Sequence, residues 1–170
     1  MNGIKNIMAD KSNTAPEDKD CWRSPPEIFE PLNERFSFRY DMAAADHNAL
    51  CARYYTEQNS ALGIERPAAW KWCNPPYSKP LPWFQHAARY RKTVLLLHLA
   101  VATRWMDIAR REANTIIQLT ERIQFIHART GERAATKNNR DSQIIIFGRR
   151  PNPDGARIVQ SSIADIAKYL

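Results

Sequence analysis

Residues 93–100 read TVLLLHLA, a nearly continuous apolar run of the kind a strand shows when both its faces are buried. Residues 142–147 (SQIIIF) and 115–119 (TIIQL) predict two more strands. Alternation of apolar and polar positions predicts strands over 36–41 (FSFRYD) and 68–73 (AAWKWC), and a shorter one over 123–126. Three helices fit between them. Ser24-Pro25-Pro26-Glu27 is a helix start, with Ser24 as N-cap and prolines in the first turn. That helix runs to about Arg35 and buries Ile28, Phe29 and Leu32. Residues 81–90 form a second, with Pro82 in its first turn, and residues 103–113 a third, capped by Thr103. Residues 47–55 read as a helix, or as a helix leading into a short strand at Tyr54-Tyr55-Thr56. The end, 158–170, predicts a short helix built on Ile163, Ile166, Ala167 and Leu170. Residues 1–20 are polar and aperiodic and read as a flexible tail; 57–67 and 128–141 read as polar loops. Strands alternating with helices predict one α/β domain over 21–170, a mostly parallel sheet with helices on both faces.

The stretch Trp72-Cys73-Asn74-Pro75-Pro76-Tyr77-Ser78 follows the 68–73 strand directly and precedes the 81–90 helix. Proline fixes its own φ and has no N–H, and it pushes the preceding residue out of the helical region. Asn74-Pro75-Pro76-Tyr77 is therefore a stiff, extended turn at the carboxyl end of a strand, where open α/β sheets bind ligands. In such a turn the Asn74 side-chain oxygen and the Pro75 carbonyl can both accept hydrogen bonds from one planar ring amine. Tyr77 offers an aromatic face to the base that carries it. The alternative is an ordinary proline turn, since a short motif needs structural context.

Charge sharpens this picture. The chain has 170 residues and a net charge of +7, which points to a polyanionic partner. Arg129, Arg133, Lys137, Arg140, Arg149 and Arg150 stand against Glu132 and Asp141 between residues 129 and 150. Three scattered cysteines, Cys21, Cys51 and Cys73, exclude a disulfide framework and a structural zinc site. The four histidines (His47, His86, His98, His127) have no ligand spacing and read as structural. No segment has the length of a membrane span, and the start lacks an apolar core of signal-peptide length, so a soluble cytoplasmic protein is expected.

From about Cys21 to Gly148 the chain resembles the small phage-type N6-adenine DNA methyltransferases of the Dam family, which use S-adenosylmethionine. The resemblance rests on several pieces in order. They are Trp22-Arg23-Ser24-Pro25, Tyr40-Asp41-Met42-Ala43-Ala44, Asn48-Ala49-Leu50-Cys51, Tyr55-Thr56, the Asn-Pro-Pro-Tyr turn with Pro82-Trp83, and Arg122-Ile123-Gln124-Phe125. It implies a Rossmann-like methyltransferase sheet and double-stranded DNA with a flipped adenine as substrate. It places catalysis on Asn74, Pro75, Pro76 and Tyr77. It assigns the cofactor pocket to Trp22, Ser24, Pro25, Asp41, Ala43, Ala44, Asp46 and Asn74, with Glu57 as a second candidate for the ribose. Ser24 reads equally as a helix cap, and Asp41 as a turn residue. Relatives commonly carry glycines after the first strand. Here Met42-Ala43-Ala44-Ala45 must approach the cofactor without positive φ.

The chemistry asks for no metal. It needs alignment of amine and methyl donor, and fixed acceptors on the amine. Sequence recognition falls to loops: Ser78, Arg129, Arg133, Lys137 and Arg140, with help from residues 57–67. Two other readings share these residues. One is the same transfer to RNA or to a protein glutamine. The other is a DNA-binding relative that has lost the cofactor, for which the alanine turn is the best support.

Overall fold

The computed structural model describes residues 22–65, 68–127 and 130–170. The tail expected over 1–20 lies outside them. In chain order the elements are β1 (Trp22–Arg23), α1 (Pro26–Phe36), β2 (Tyr40–Asp41), β3 (Lys71–Cys73), α2 (Leu81–Tyr90), β4 (Thr93–His98), α3 (Arg104–Glu112), β5 (Thr115–Leu119), β6 (Ile126–His127), β7 (Ser142–Phe147) and β8 (Arg157–Ser161). A 3-10 helix, Ile166–Tyr169, closes the chain.

Six strands form one sheet in the order β2-β3-β4-β7-β5-β8. β7 runs antiparallel to β4 and β5, and the other three pairings are parallel. The chain is therefore a mixed α/β domain with a mostly parallel sheet. After β2 it turns outward to Tyr54, which bridges Asp41 in parallel, and then crosses back to the other edge of β2 as β3. Strand order reverses between β2 and β3. That reversal point is where the carboxyl ends of an open sheet leave a crevice.

Alternation along the central strands sorts the core into two faces. Trp72, Val94, Leu96, Ile117, Ile144 and Ile146 pack with Ile28, Phe29 and Leu32 of α1 and with Ile166. Cys73, Leu95, Leu97, Ile116, Ile145 and Phe147 pack with Phe84 and Ala87 of α2 and with Trp105, Met106 and Ala109 of α3. Helices thus cover both faces, and this two-sided burial is why β4 and β7 read as unbroken apolar runs. α2 and α3 start where their signals placed them. The Thr103 hydroxyl accepts the Met106 N–H at 3.3 Å, and Pro82 occupies the first turn of α2.

Several elements differ from expectation. Ser24 does not cap α1: the N-cap is Pro25, in extended backbone, with no side-chain cap bond. Two prolines move the first helical residue to Pro26, which leaves Ser24 one position too early to reach the helical N–H groups. The expected 36–41 strand shrinks to β2. α1 continues through Phe36, and Ser37 ends it in left-handed backbone, φ 52°. Residues 47–55 form no helix. Asn48 Oδ1 accepts the Ala45 N–H at 2.7 Å and Asp41 Oδ2 accepts the Leu50 N–H at 3.1 Å, so side chains take backbone donors that a helix would use. Of residues 123–126 only Ile126 is in a strand, β6, which pairs with β1 rather than with the sheet. The 158–170 helix is replaced by β8 and the 3-10 turn.

Candidate active site

The Asn-Pro-Pro-Tyr turn leaves β3 beside the end of β2, so the motif and Asp41 share the reversal point of the sheet. Register sets this: Asp41 pairs with Trp72, two residues before Asn74. Asn74 and Tyr77 are half-buried, Pro75 is buried and Ser78 is exposed. The Asn74 amide nitrogen donates to the Trp22 carbonyl at 3.3 Å. That bond leaves Oδ1 as the free acceptor. Oδ1 is buried and has no hydrogen-bond partner in the protein.

This atom is one of a group. Among the described residues, Ser24 Oγ, Asn74 Oδ1, Tyr77 hydroxyl, His98 Nδ1, Ser142 Oγ and Gln143 Oε1 are all buried without partners. Asn74 and Tyr77 lie in the turn after β3, His98 ends β4, and Ser142 and Gln143 open the antiparallel β7. These five therefore stand at the carboxyl edge of the parallel strands. Trp22, two residues before Ser24, is tied to Asn74. Buried polar atoms in folded proteins are nearly always paired, so unpaired ones at one edge mark a place where a polar ligand completes the bonding. Burial also pushes the Tyr77 phenol well above its ordinary value, which keeps it protonated.

Asp41 is only 3% exposed. Its Oδ1 accepts the Ala43 N–H at 3.3 Å and its Oδ2 the Leu50 N–H at 3.1 Å. The turn role is therefore real, and the carboxylate shapes the loop that follows β2. A carboxylate has about four lone-pair sites, so capacity remains. Burial raises its pKa to about 6, against the opposing pull of those two N–H groups and the Arg23 charge. Met42, Ala43, Ala44 and Ala45 all avoid positive φ, so the glycine-free turn is made without left-handed backbone. Asp46 is exposed and accepts the Tyr54 hydroxyl at 3.1 Å, and Glu57 is exposed.

Trp22 belongs to β1, whose partner β6 brings the basic loop close to the motif. The Trp22 ring meets the His127 ring edge-on at 5.2 Å. Arg133 is held by Glu27 in a bidentate pair, 2.6 and 2.9 Å, which depresses the Glu27 pKa. Lys137 and Arg140 are exposed, and Arg129 lies outside the described residues. His98, read from sequence as structural, sits in the site. Its ring lies 5.4 Å from Tyr77 and 5.5 Å from Trp105. Burial first, and the Arg140 charge second, lower its pKa and keep it neutral at pH 7. Its place at the end of a buried parallel strand was the available signal. Among the described residues, no group of three or more His, Cys, Asp or Glu is arranged to hold a metal ion, and no helix is long and apolar enough to cross a membrane.

The chain is 32% identical over 148 residues to a DNA N-6-adenine-methyltransferase of Haemophilus phage HP1, covering 82% of this chain and 85% of that one. It is 30% identical over 160 residues to a DNA N-6-adenine-methyltransferase of Escherichia phage T1, covering 80% of this chain and 66% of that one. The model of the DNA N-6-adenine-methyltransferase (Dam) family matches residues 11–166, a span that holds the turn, the Asp41 loop and the basic segment together. By that match and by the similarity to the phage HP1 enzyme, the chain belongs to the DNA N-6-adenine-methyltransferase (Dam) family.

Proposed function

We propose that the protein transfers a methyl group from S-adenosylmethionine to the N6 amino group of adenine in DNA, on a sheet of the Rossmann-like methyltransferase kind. The observation that carries this reading is the buried, unpartnered Asn74 Oδ1 beside the reversal of strand order. The family's printed activity and the two phage relatives support it.

The residues fit the methyl donor. Its sulfonium, ammonium and ribose hydroxyls call for a buried carboxylate and polar atoms in want of partners. Asp41 and Ser24 Oγ supply these. Trp22, Ser24 and Pro25 on one side, and Asp41, Ala43 and Ala44 on the other, would hold it, with Asp46 at the exposed end of the loop. When bound, it supplies an electrophilic methyl on a positively charged sulfur.

The rest falls to the protein. The Trp22 carbonyl fixes the orientation of the Asn74 amide, so that Oδ1 faces the amine as an acceptor. Pro75 and Pro76 keep the turn from relaxing, which holds that acceptor in place before the base arrives. An adenine within a duplex hides its amine, so it must be turned out of the stack. Tyr77 then provides a ring for it, worth on the order of 1–3 kcal/mol. Lys137, Arg140 and Ser78, all exposed, would contact DNA phosphates. Arg133 would join them by exchanging Glu27 for a phosphate, and Arg129 belongs to the same segment. The setting is the cytoplasm of a bacterium or an infected cell.

The test is transfer of labelled methyl to DNA, RNA and protein in parallel, with thermal stability measured with and without the methyl donor. Incorporation into DNA, and a rise in stability with the donor, support the reading. Incorporation into RNA or protein instead, or no stabilisation by the donor, refutes it. The second outcome favours the DNA-binding relative that the alanine turn suggests.

A further inference from the structure

The opposite edge of the sheet carries a second charged feature. An open cleft of about 410 Å³ is lined by Glu65, Arg89, Tyr90, Arg91, Lys92 and Arg149. It lies where α2 ends and β4 begins, and where antiparallel β7 leaves the sheet. The rung joining Thr93 to Phe147 marks this edge, and the rung joining His98 to Ser142 marks the other. Five residues of strand separate them, about 17 Å at the usual rise per residue.

The wall of the cleft is built, while its rim is free. Arg91 Nε donates to the Gly148 carbonyl at 3.3 Å, and its guanidinium pairs with Glu112 at 3.6 Å. Lys92 Nζ donates to the Ala68 carbonyl at 3.0 Å. Arg91 and Lys92 hold these positions in consecutive left-handed backbone, φ 54° and 45°. Neither is a glycine, so the turn is strained, and such strain concentrates at sites of use. Beneath them Lys71 is 0% exposed, its ammonium donating to the Tyr90 carbonyl at 3.3 Å. Burial, with the Lys92 charge as a lesser cause, lowers its pKa to about 8. On the rim, Arg89 lies over the Tyr90 ring at 5.2 Å and Arg149 is exposed. Neither makes an ion pair with a carboxylate among the described residues. Arg150 stands beside them in sequence. The cations thus outnumber Glu65 and Glu112 in one concave place.

We propose that this cleft binds nucleic-acid phosphates, and that it holds a DNA segment other than the one engaged at Asn74. The inference rests on the reading that the protein acts on DNA. The edge of the sheet decides which segment: the cleft opens at the amino edge, about 17 Å along the strands from the carboxyl edge that bears Asn74. A protein with both contacts can hold one duplex while sampling the next.

Arg89→Gln/Arg149→Gln tests this, since both side chains are exposed and outside the catalytic turn. Wild-type protein bound to a bead-held duplex should capture a second, labelled duplex, and the double variant should lose that capture. The slope of log affinity against log salt should fall by about two in the variant, one phosphate contact per arginine. Its single-turnover methyl transfer should stay at the wild-type rate. Inorganic tripolyphosphate should release the captured duplex at concentrations that leave single-turnover transfer intact. Capture absent from wild type, or unchanged in the variant, overturns the proposal. So does a matching fall in single-turnover rate, which would make the cleft part of the catalytic footprint. If wild type captures DNA but yields no methylated product, the enzymatic reading falls and the cleft stands.

Discussion

Replacing Asp41 by asparagine should make the ligand-free protein more stable at pH 8 than at pH 4.5, relative to wild type. The carboxyl titrates at about 6 in the fold instead of near the ordinary 3.8, with burial as the main cause. Below about pH 4 it is protonated in both the folded and unfolded chains and costs nothing. Between the two values the folded chain keeps a proton that the unfolded chain has released, so stability falls as pH rises. Above about pH 6 the loss is complete. At 1.36 kcal/mol per unit it comes to about 3 kcal/mol. Asparagine is neutral throughout and removes that loss. Its amide has one oxygen, so of the Ala43 and Leu50 N–H bonds it retains one, and the other costs about 1–3 kcal/mol at every pH. The bond penalty cancels when the variant-minus-wild-type difference is compared between pH 8 and pH 4.5. The titration remains: about 1.5 units separate pH 4.5 from the folded value of about 6, which comes to about 2 kcal/mol of that loss. Urea unfolding at both pH values reads it directly. A difference that does not change with pH refutes the account of Asp41. With the methyl donor added, wild type should gain stability and the variant should gain little, the usual exchange of stability for function at a site.

Asn74→Ala should lower turnover about 100- to 1000-fold, the range for loss of a fixed polar group at developing charge, with DNA affinity nearly unchanged in a gel-shift titration. Equal losses in both would make Asn74 a binding residue. Tyr77→Phe should raise the melting temperature of the ligand-free protein by a few degrees, because the buried hydroxyl has no partner to lose. A fall in melting temperature contradicts the orphaned hydroxyl. Glu27→Gln should cost no more than about 1 kcal/mol in urea unfolding, since the Arg133 pair is half-exposed, and should tighten DNA binding by freeing Arg133. Weaker binding would show that the pair orders the loop for DNA. Gly155→Ala should cost about 1–3 kcal/mol, because Gly155 has φ +84° and a Cβ there would stand 2.8 Å from the Arg110 carbonyl oxygen; unchanged stability would mean that the turn relaxes freely.

Long, two-sided patterns were legible. β5 and β7 appear over the expected residues because burial on both faces writes itself as continuous apolar sequence. The Asn-Pro-Pro-Tyr turn is placed at a strand end by the alternation over 68–73, although β3 covers only Lys71–Cys73 and is buried on both faces, Lys71 included. What escaped depends on partners distant in sequence. β1 and β6 have two residues each and exist because Trp22 pairs with His127. β8 has one buried residue, Ser161, and is a strand because it pairs with β5 at the sheet edge. Its neighbour Ile163 lent the region a false helical spacing. Asn74, Asp41 and Ser24 were found through motif and resemblance, but the unpaired state of Asn74 Oδ1 and Ser24 Oγ is a property of packing alone. His98 shows the limit most clearly. A lone histidine after four apolar residues marks a strand end and nothing more, and the register that sets it against Tyr77 is a tertiary fact.

The identity of the methylated product tests the role of Asn74 most directly. Unmethylated DNA, treated with the protein and the methyl donor and then digested to nucleosides, should yield N6-methyldeoxyadenosine with wild type and almost none with Asn74→Ala. A methylated cytosine, or equal product from the variant, would contradict the role assigned to the acceptor at Asn74.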